Sequence, residues 1–317
     1  MSDHSSLHLL IGGEKLTGGS RETQDVIDPA TAEVLGSLPH ATSDDLDTAL
    51  ANADKGFHAW RKESADKRAA ALNKAAQLIR ERANDIGMLL TREQGKPIKE
   101  AVGEVIYCAM LFEFYAGEAK RTYGRSLVRP EGQSARVIYV PVGPVAGFAA
   151  WNFPAINVAR KIGGAIAAGC SVIVKPSEET PAAGLALVQC LLDGGVPGDV
   201  CQVVFGVPDE VSRHLLGSPI IRKVTFTGSS AVGKHLVKLA ADDLKVTTME
   251  LGGHAPVIVC DDVDPAQVAT LGAARKYRNS GQVCTSPTRF YVSEGQVEAF
   301  TEAFLTKARS VVVGNGL

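Results

Sequence analysis

Cysteine is sparse and unpaired in this chain. Cys108, Cys170, Cys190, Cys201, Cys260 and Cys284 are its only six, and no two stand in a CxxC spacing. The pattern argues against a disulfide framework and a structural zinc site; it fits a reducing cytoplasm and calls for no metal. An excess of charge is also missing. Lys and Arg number 33 against 35 Asp and Glu, a net −2, whereas a nucleic-acid partner would normally demand a basic surplus. Met1–His8 is too polar for a signal peptide. The one long uncharged run, Val137 to Ala159, is broken by Pro141, Pro144 and Pro154 and polarised by Asn152 and Asn157. It reads as a buried strand–turn–helix, not as a membrane span. What is left is an ordinary soluble composition, 45% hydrophobic and 21% charged over 317 residues, long enough for two domains or one large α/β unit.

Local patterns divide the chain. Residues 1–40 carry short strand signals, with Leu9-Leu10-Ile11-Gly12-Gly13 and a turn at Asp28-Pro29. Helices are expected from Ser43, which would cap the first ahead of Asp44 and Asp45, and from Ser64. Another should stop at Gly95 before Pro97. Lys99 to Lys120 reads as a largely buried helix with Phe112, Phe114 and Tyr115 in its packing, and Tyr123 to Val142 as a hairpin around Pro130-Glu131-Gly132. Beyond it, short apolar runs at 145–149, 171–174, 200–205, 223–226 and 256–259 alternate with helical segments. That alternation predicts a doubly wound, Rossmann-like parallel sheet, with ligands at the carboxyl ends of its strands.

Four turns after those strands carry chemistry. Trp151-Asn152-Phe153-Pro154 presents an amide and an aromatic; Lys175-Pro176-Ser177-Glu178 presents a cation and an anion. Thr227-Gly228-Ser229 opens a helix through Gly233, where glycines would admit a phosphate and Ser229 could donate to it. This turn is neither a Walker loop nor a GxGxxG fingerprint, and a plain helix-opening turn fits it as well. Glu250-Leu251-Gly252-Gly253 suits a carboxylate presented from a tight turn, and 34 positions later Cys284 sits in loop chemistry with Thr285, Ser286 and Pro287. Such a pair could supply a thiolate nucleophile and a general base. Taken singly, Cys284 reads more readily as a small buried hydrophobe, Glu250 as a turn-flanking surface residue, Lys175 as a solvated charge and Asn152 as a capping or turn residue.

The ordered set WNFP at 151–154, KPSE at 175–178, FTGSSAVG at 226–233, ELGG at 250–253 and GQVC at 281–284 resembles the aldehyde dehydrogenase superfamily, from about residue 10 to the end. The resemblance implies an NAD-binding domain from 1–121 and 142–252, an oligomerisation hairpin at 122–141, and the first part of an α/β catalytic domain at 253–317. It implies that Cys284 attacks an aldehyde, that the Asn152 amide and the Cys284 N–H hold the oxyanion, and that Glu250 activates the water that releases the acid. Lys161 joins this catalytic group. Lys175 and Glu178 would hold ribose hydroxyls and Ser229 a phosphate, with Trp151, Ser177, Gly206, Gly228, Val232, Gly233 and Leu251 completing the cofactor site. The carboxylate of Glu178 should repel a 2′-phosphate, so NAD is expected over NADP, with NADP possible.

Arg160 and Arg278 stand where the family lines its substrate tunnel, and they resemble the succinate-semialdehyde and 2-oxoglutarate-semialdehyde dehydrogenase branch, in which arginines hold a substrate carboxylate. Without the resemblance they read as two surface arginines. The implied reaction is oxidation of a short carboxylate-bearing semialdehyde, in a cytoplasmic homo-dimer or homo-tetramer when full length, with no nucleic-acid or membrane partner. Ala150 replaces a proline common before the WNFP turn, and Ser286 removes a paired-cysteine switch beside Cys284. The resemblance also implies a C-terminally truncated chain, lacking a later glutamate–phenylalanine motif for the nicotinamide ribose. Two alternatives stay open: a CoA-acylating semialdehyde dehydrogenase, disfavoured by Glu250, and an inactive nucleotide-binding fragment.

Overall fold

Short apolar runs near the N-terminus pair locally. In the computed structural model, which describes residues 4–317, β1 (Leu9–Ile11) and β2 (Glu14–Leu16) form an antiparallel hairpin, and β3 (Thr23–Ile27) pairs with β4 (Val34–Pro39). Met1–Asp3 of the polar N-terminal stretch lie outside the described residues. Four helices follow: α1 (Ser43–Trp60), α2 (Ala65–Glu81), α3 (Ala83–Gln94) and α4 (Ile98–Ala119). The cap of α1 is Thr42, not Ser43. Asp45 N–H donates to Thr42 Oγ1 and Thr42 N–H to the Asp45 carboxylate, a reciprocal box that Ser43 could not form because Leu46 stands three residues on. Ser64 caps α2, and α3 ends at Gly95 in a left-handed conformation with φ +86°. In α4, Phe112 is fully buried but Phe114 is 57% exposed. Two positions are about 200° apart on a helix, so both cannot face the core.

The hairpin β5 (Arg125–Leu127) and β6 (Ala135–Val137) stands apart, and then strands and helices alternate. They are β7 (Val145–Phe148), α5 (Pro154–Ala168), β8 (Val172–Lys175), α6 (Pro181–Asp193), β9 (Cys201–Val203), α7 (Pro208–Gly217), β10 (Lys223–Gly228), α8 (Ser230–Ala241) and β11 (Val246–Leu251). The sheet runs β11-β10-β7-β8-β9-β1-β2, parallel from β11 to β9 and antiparallel at β1 and β2. Every residue of β7, β8 and β9 is buried, as a parallel sheet covered on both faces requires. Edge strand β11 is mostly exposed, so no apolar run marks it. Glu250 stands on this strand, opposite Thr227 of β10, and not in the tight turn that the glycines imply. Gly252 and Gly253 follow with open space around them.

Helices α5 and α6, which follow two of the four chemical turns, both start with proline and lack a capping side chain of their own. Buried carboxylates from other helices serve instead. Glu104 of α4 accepts from Ala155 and Ile156 N–H at 3.0 and 3.1 Å, and Glu93 of α3 from Ala182 and Ala183 N–H at 2.8 and 3.0 Å. Hydrogen bonds to a charged acceptor contribute about 1.5–3 kcal/mol each, more than the ~1 kcal/mol of an ordinary N-cap. These caps therefore lock the turns at 151–154 and 175–180 to the helical layer. The remaining elements, β12 (Ala255–Ile258), α9 (Pro265–Tyr277), β13 (Pro287–Tyr291) and α10 (Val297–Arg309), pack round a small core of Val259, Ala269 and Phe300, with Phe290, Phe300 and Phe304 in ring contact. Among the described residues no helix is long and apolar enough to cross a membrane.

Candidate active site

Connections from β7 run to β8 and β9 on one side, whereas β10 and β11 lie on the other. The β7/β10 boundary is thus the switch point of the sheet, where a crevice opens at the carboxyl ends of the strands. A cleft of about 650 Å3 lies there, lined by Trp151, Lys175, Ser177 and Glu178 on one side and Gly228, Ser229 and Val232 on the other. Lys175 is buried; burial pulls its ammonium below the usual lysine range while contact with Glu178 works against that shift. Glu179 also lines the cleft and accepts from the Ser177 hydroxyl, a second carboxylate that the KPSE motif does not single out.

Ser229 is the N-cap of α8, accepting from Val232 N–H at 3.3 Å. The glycines have packing reasons. A Cβ at Gly228 would lie 2.3 Å from the Phe226 ring, and one at Gly233 would lie 2.7 Å from Leu251 Cδ2. Gly233 is buried behind the cleft and does not line it. Gly206 likewise stays behind it, at φ +146° after β9, where a Cβ would meet Val211 at 3.0 Å. Both were expected at the cofactor; a glycine pattern alone does not separate backbone approached by a ligand from backbone approached by a side chain.

A smaller cavity of about 350 Å3 continues from the cleft, lined by Trp151, Gly228 and Leu251 at one end and by Cys284 at the other. Beyond it a cavity of about 630 Å3 is lined by Tyr107, Phe153, Ile156, Arg160 and Arg278. Asn152, Thr227, Glu250 and Cys284 line both. The thiol and the carboxylate, 34 positions apart in the chain, therefore face one continuous space. Partial burial raises the Cys284 thiol above its ordinary range, and the charge and hydrogen bond of Glu250 raise it further; Thr285 N–H opposes this. A carboxylate touching a thiol can take its proton. The Asn152 side chain donates to the Gln282 carbonyl at 2.9 Å, and Asn157 Nδ2 donates to Asn152 Oδ1 at 3.3 Å, which fixes the amide's orientation.

Lys161 lines neither cavity. Its buried ammonium donates to Thr227 Oγ1 at 2.6 Å, so it meets the site through Thr227. Burial lowers its pKa to about 8, with Glu250 opposing the shift and Arg160 adding to it. An unfolded lysine binds its proton up to about 10.5, so the unfolded state holds more protons between those values. Below pH 8 the folded state therefore carries a penalty of roughly 3 kcal/mol for holding the ammonium, and that penalty is relieved between pH 8 and 10.5. In urea titrations at pH 7 to 10, the parent should gain stability relative to Lys161→Met as pH rises. Parallel curves would show that the ammonium is not held under strain.

The sequence assigns no role to Thr227, Asn157 or Glu179, because hydroxyls, amides and acids are common in turns and their convergence is tertiary. Among the described residues, no group of three His, Cys, Asp or Glu could hold a metal.

Comparison with known proteins adds four findings. A family model described as the aldehyde dehydrogenase family matches residues 16–317. The chain is 48% identical over 308 residues to a 4-(hydroxymethyl)benzenesulfonate dehydrogenase of Comamonas testosteroni, covering 96% of this chain and 64% of that protein. It is 43% identical to a mitochondrial succinate-semialdehyde dehydrogenase of Oryza sativa, covering 97% and 59% respectively. A solved structure titled as an NADP-dependent enzyme of E. coli superposes with a TM-score of 0.96 at 38% identity, covering 99% of this chain and 65% of that one. The chain thus spans less than two thirds of the length of these relatives.

Proposed function

The chain belongs to the aldehyde dehydrogenase family, and from that premise we propose that it carries the cofactor site and nucleophile of an NAD(P)-dependent dehydrogenase for short, carboxylate-bearing semialdehydes. The observation that carries this reading is that Cys284, Glu250 and Asn152 share the cavities joining an aldehyde-sized space to the cleft at the switch point. The residues fit a dinucleotide: a buried Lys175–Glu178 pair for ribose hydroxyls, and the first turn of α8 beside Ser229 for phosphate. When bound, the nicotinamide supplies the hydride acceptor. Cys284 adds through sulfur to the aldehyde carbon, and the oxygen that becomes negative is held by the Asn152 amide and the Cys284 N–H. Once oxidised, the substrate remains on Cys284 as a thioester. Glu250 takes a proton from water as it adds to that carbonyl, the C–S bond breaks, and the acid leaves. By the same reading, residues 1–121 and 142–252 form the cofactor domain and 253–317 begin the catalytic domain. The hairpin at 122–141, with Val128 98% exposed, is then a surface for a second copy.

Acid formation from succinate semialdehyde without added CoA tests the reading, and a strict CoA requirement would favour the acylating alternative. Glu178 and Glu179 disfavour a 2′-phosphate, so NAD should be used in preference to NADP at equal concentration. A tenfold preference for NADP would reverse that part.

Arg160 and Arg278 both line the cavity, and the Arg278 guanidinium lies 5.4 Å from the Phe153 ring centroid. A charge-assisted bond contributes about 1.5–3 kcal/mol, so Arg160→Leu should raise KM for succinate semialdehyde roughly 10- to 100-fold with kcat little changed. An unchanged KM removes the clamp. The aromatic wall of Tyr107 and Phe153 favours a second reading, an aryl aldehyde bearing an anionic group such as sulfonate, in keeping with the named Comamonas relative. The ratio of kcat/KM values for 4-formylbenzenesulfonate and succinate semialdehyde decides between them.

A further inference from the structure

The main-chain carbonyl of Asn152 accepts hydrogen bonds from two directions, Lys96 Nζ at 3.0 Å and Asn279 Nδ2 at 2.9 Å. Lys96 lies in the loop between α3 and α4 and is 2% exposed. Its ammonium pairs with Glu104 Oε2 at 2.5 Å and lies 4.2 Å from the Phe153 ring centroid. The other oxygen of Glu104 is the one that caps α5. The same ion pair therefore holds both ends of the turn from Asn152 to Ile156.

Asn279 comes from the opposite side, in the loop that leads to Cys284. It is 1% exposed and sits in the left-handed region at φ +50°, which asparagine adopts more readily than other non-glycine residues. Its N–H donates to Glu100 at 3.2 Å, and its amide also reaches the Gln282 carbonyl at 3.3 Å. That carbonyl is the acceptor for the Asn152 side chain. The oxyanion turn and the nucleophile loop are thus tied together twice, and Asn279 takes part in both ties.

We propose that Lys96 and Asn279 are positioning residues, which by sharing the Asn152 carbonyl set the Asn152 amide at its working distance from Cys284. The proposal rests on the oxyanion role of Asn152 given above. A misplacement of about 1 Å in such a donor can cost on the order of 100-fold in rate, whereas cofactor affinity, set in the cleft at Lys175 and Ser229, should not move.

The test is a double-mutant cycle on the full-length protein. Asn279→Gly deletes both amide bonds and keeps the left-handed backbone open. Lys96→Met with Glu104→Gln removes the two buried charges together and leaves an oxygen to accept from Ala155 and Ile156, so it serves where the glycine variant fails to fold. Each should lower kcat roughly 10- to 100-fold with KM for the aldehyde and the NADH dissociation constant near the parent's. Made in an Asn152→Ala background, neither should add a further loss, because the group they position is gone. Unchanged kcat, or a full multiplicative loss in the Asn152→Ala background, overturns the proposal. Parental kcat in Asn152→Ala alone removes the oxyanion reading itself; a deep loss there beside parental kcat in Asn279→Gly removes only the positioning role.

Discussion

Cys284→Ala is expected to reduce kcat by roughly four to six orders of magnitude while NADH still binds, as seen by its fluorescence. The size of the loss follows from the absence of a substitute. Cys108, Cys170, Cys190 and Cys201 are buried, and burial pushes each of their thiols up, Cys190 to about 11. A thiol in that condition yields almost no thiolate at neutral pH. Cys260 is exposed but lines neither of the two cavities that Cys284 faces. The substituted side chain is itself exposed, so stability should change by no more than about 0.5 kcal/mol. Turnover within tenfold of the parent would mean that the acyl group is carried elsewhere or not at all.

The second large effect concerns Glu250→Gln, and here two measurements should move in opposite directions. Removing a general base costs about 10²- to 10⁴-fold, so steady-state kcat should fall by that factor. If Glu250 works at the hydrolytic step, rapid mixing should still show a first burst of NADH, approaching one per site, before turnover stalls. The thiol should meanwhile become more acidic. The Glu250 carboxylate raises the Cys284 pKa, so neutralising it lowers that pKa and increases the thiolate fraction at pH 7. Alkylation by iodoacetamide should therefore speed up, with its pH profile displaced to lower pH. A burst lost along with kcat would move Glu250 to the acylation step, and an unmoved alkylation profile would show that carboxylate and thiol are not in contact.

Much of the sheet is legible because β7, β8 and β9 are buried on both faces and appear as mostly apolar runs, with Gln202 of β9 a buried polar exception. β11 is not, since an edge strand keeps polar residues and reads like a loop, and the glycines after Glu250 suggest a turn there. The cap of α1 is one residue off the expected Ser43 because Thr42 and Ser43 are both good caps and only the return bond to the Asp45 carboxylate separates them. Gly206 and Gly233 show the limit of glycine as a signal, because a glycine records only that something comes close. What comes close at Gly233 is Leu251, and at Gly206 it is Val211.

By itself the order of residues determined the α/β class and the turns that follow its strands, while the resemblance to a known family singled out the sulfur, amide and carboxylate. The class and the turns follow from local rules, in which periodicity, proline and glycine act within a few positions of one another. Only the tertiary structure decided that Cys284, Glu250 and Asn152 face one space, that Lys161 meets it through Thr227, and that Lys96 and Asn279 converge on the Asn152 carbonyl. The physical reason is distance along the chain. Lys96 and Asn279 stand 56 and 127 positions from Asn152, and contacts at such separations are set by how whole layers pack, which no local pattern encodes.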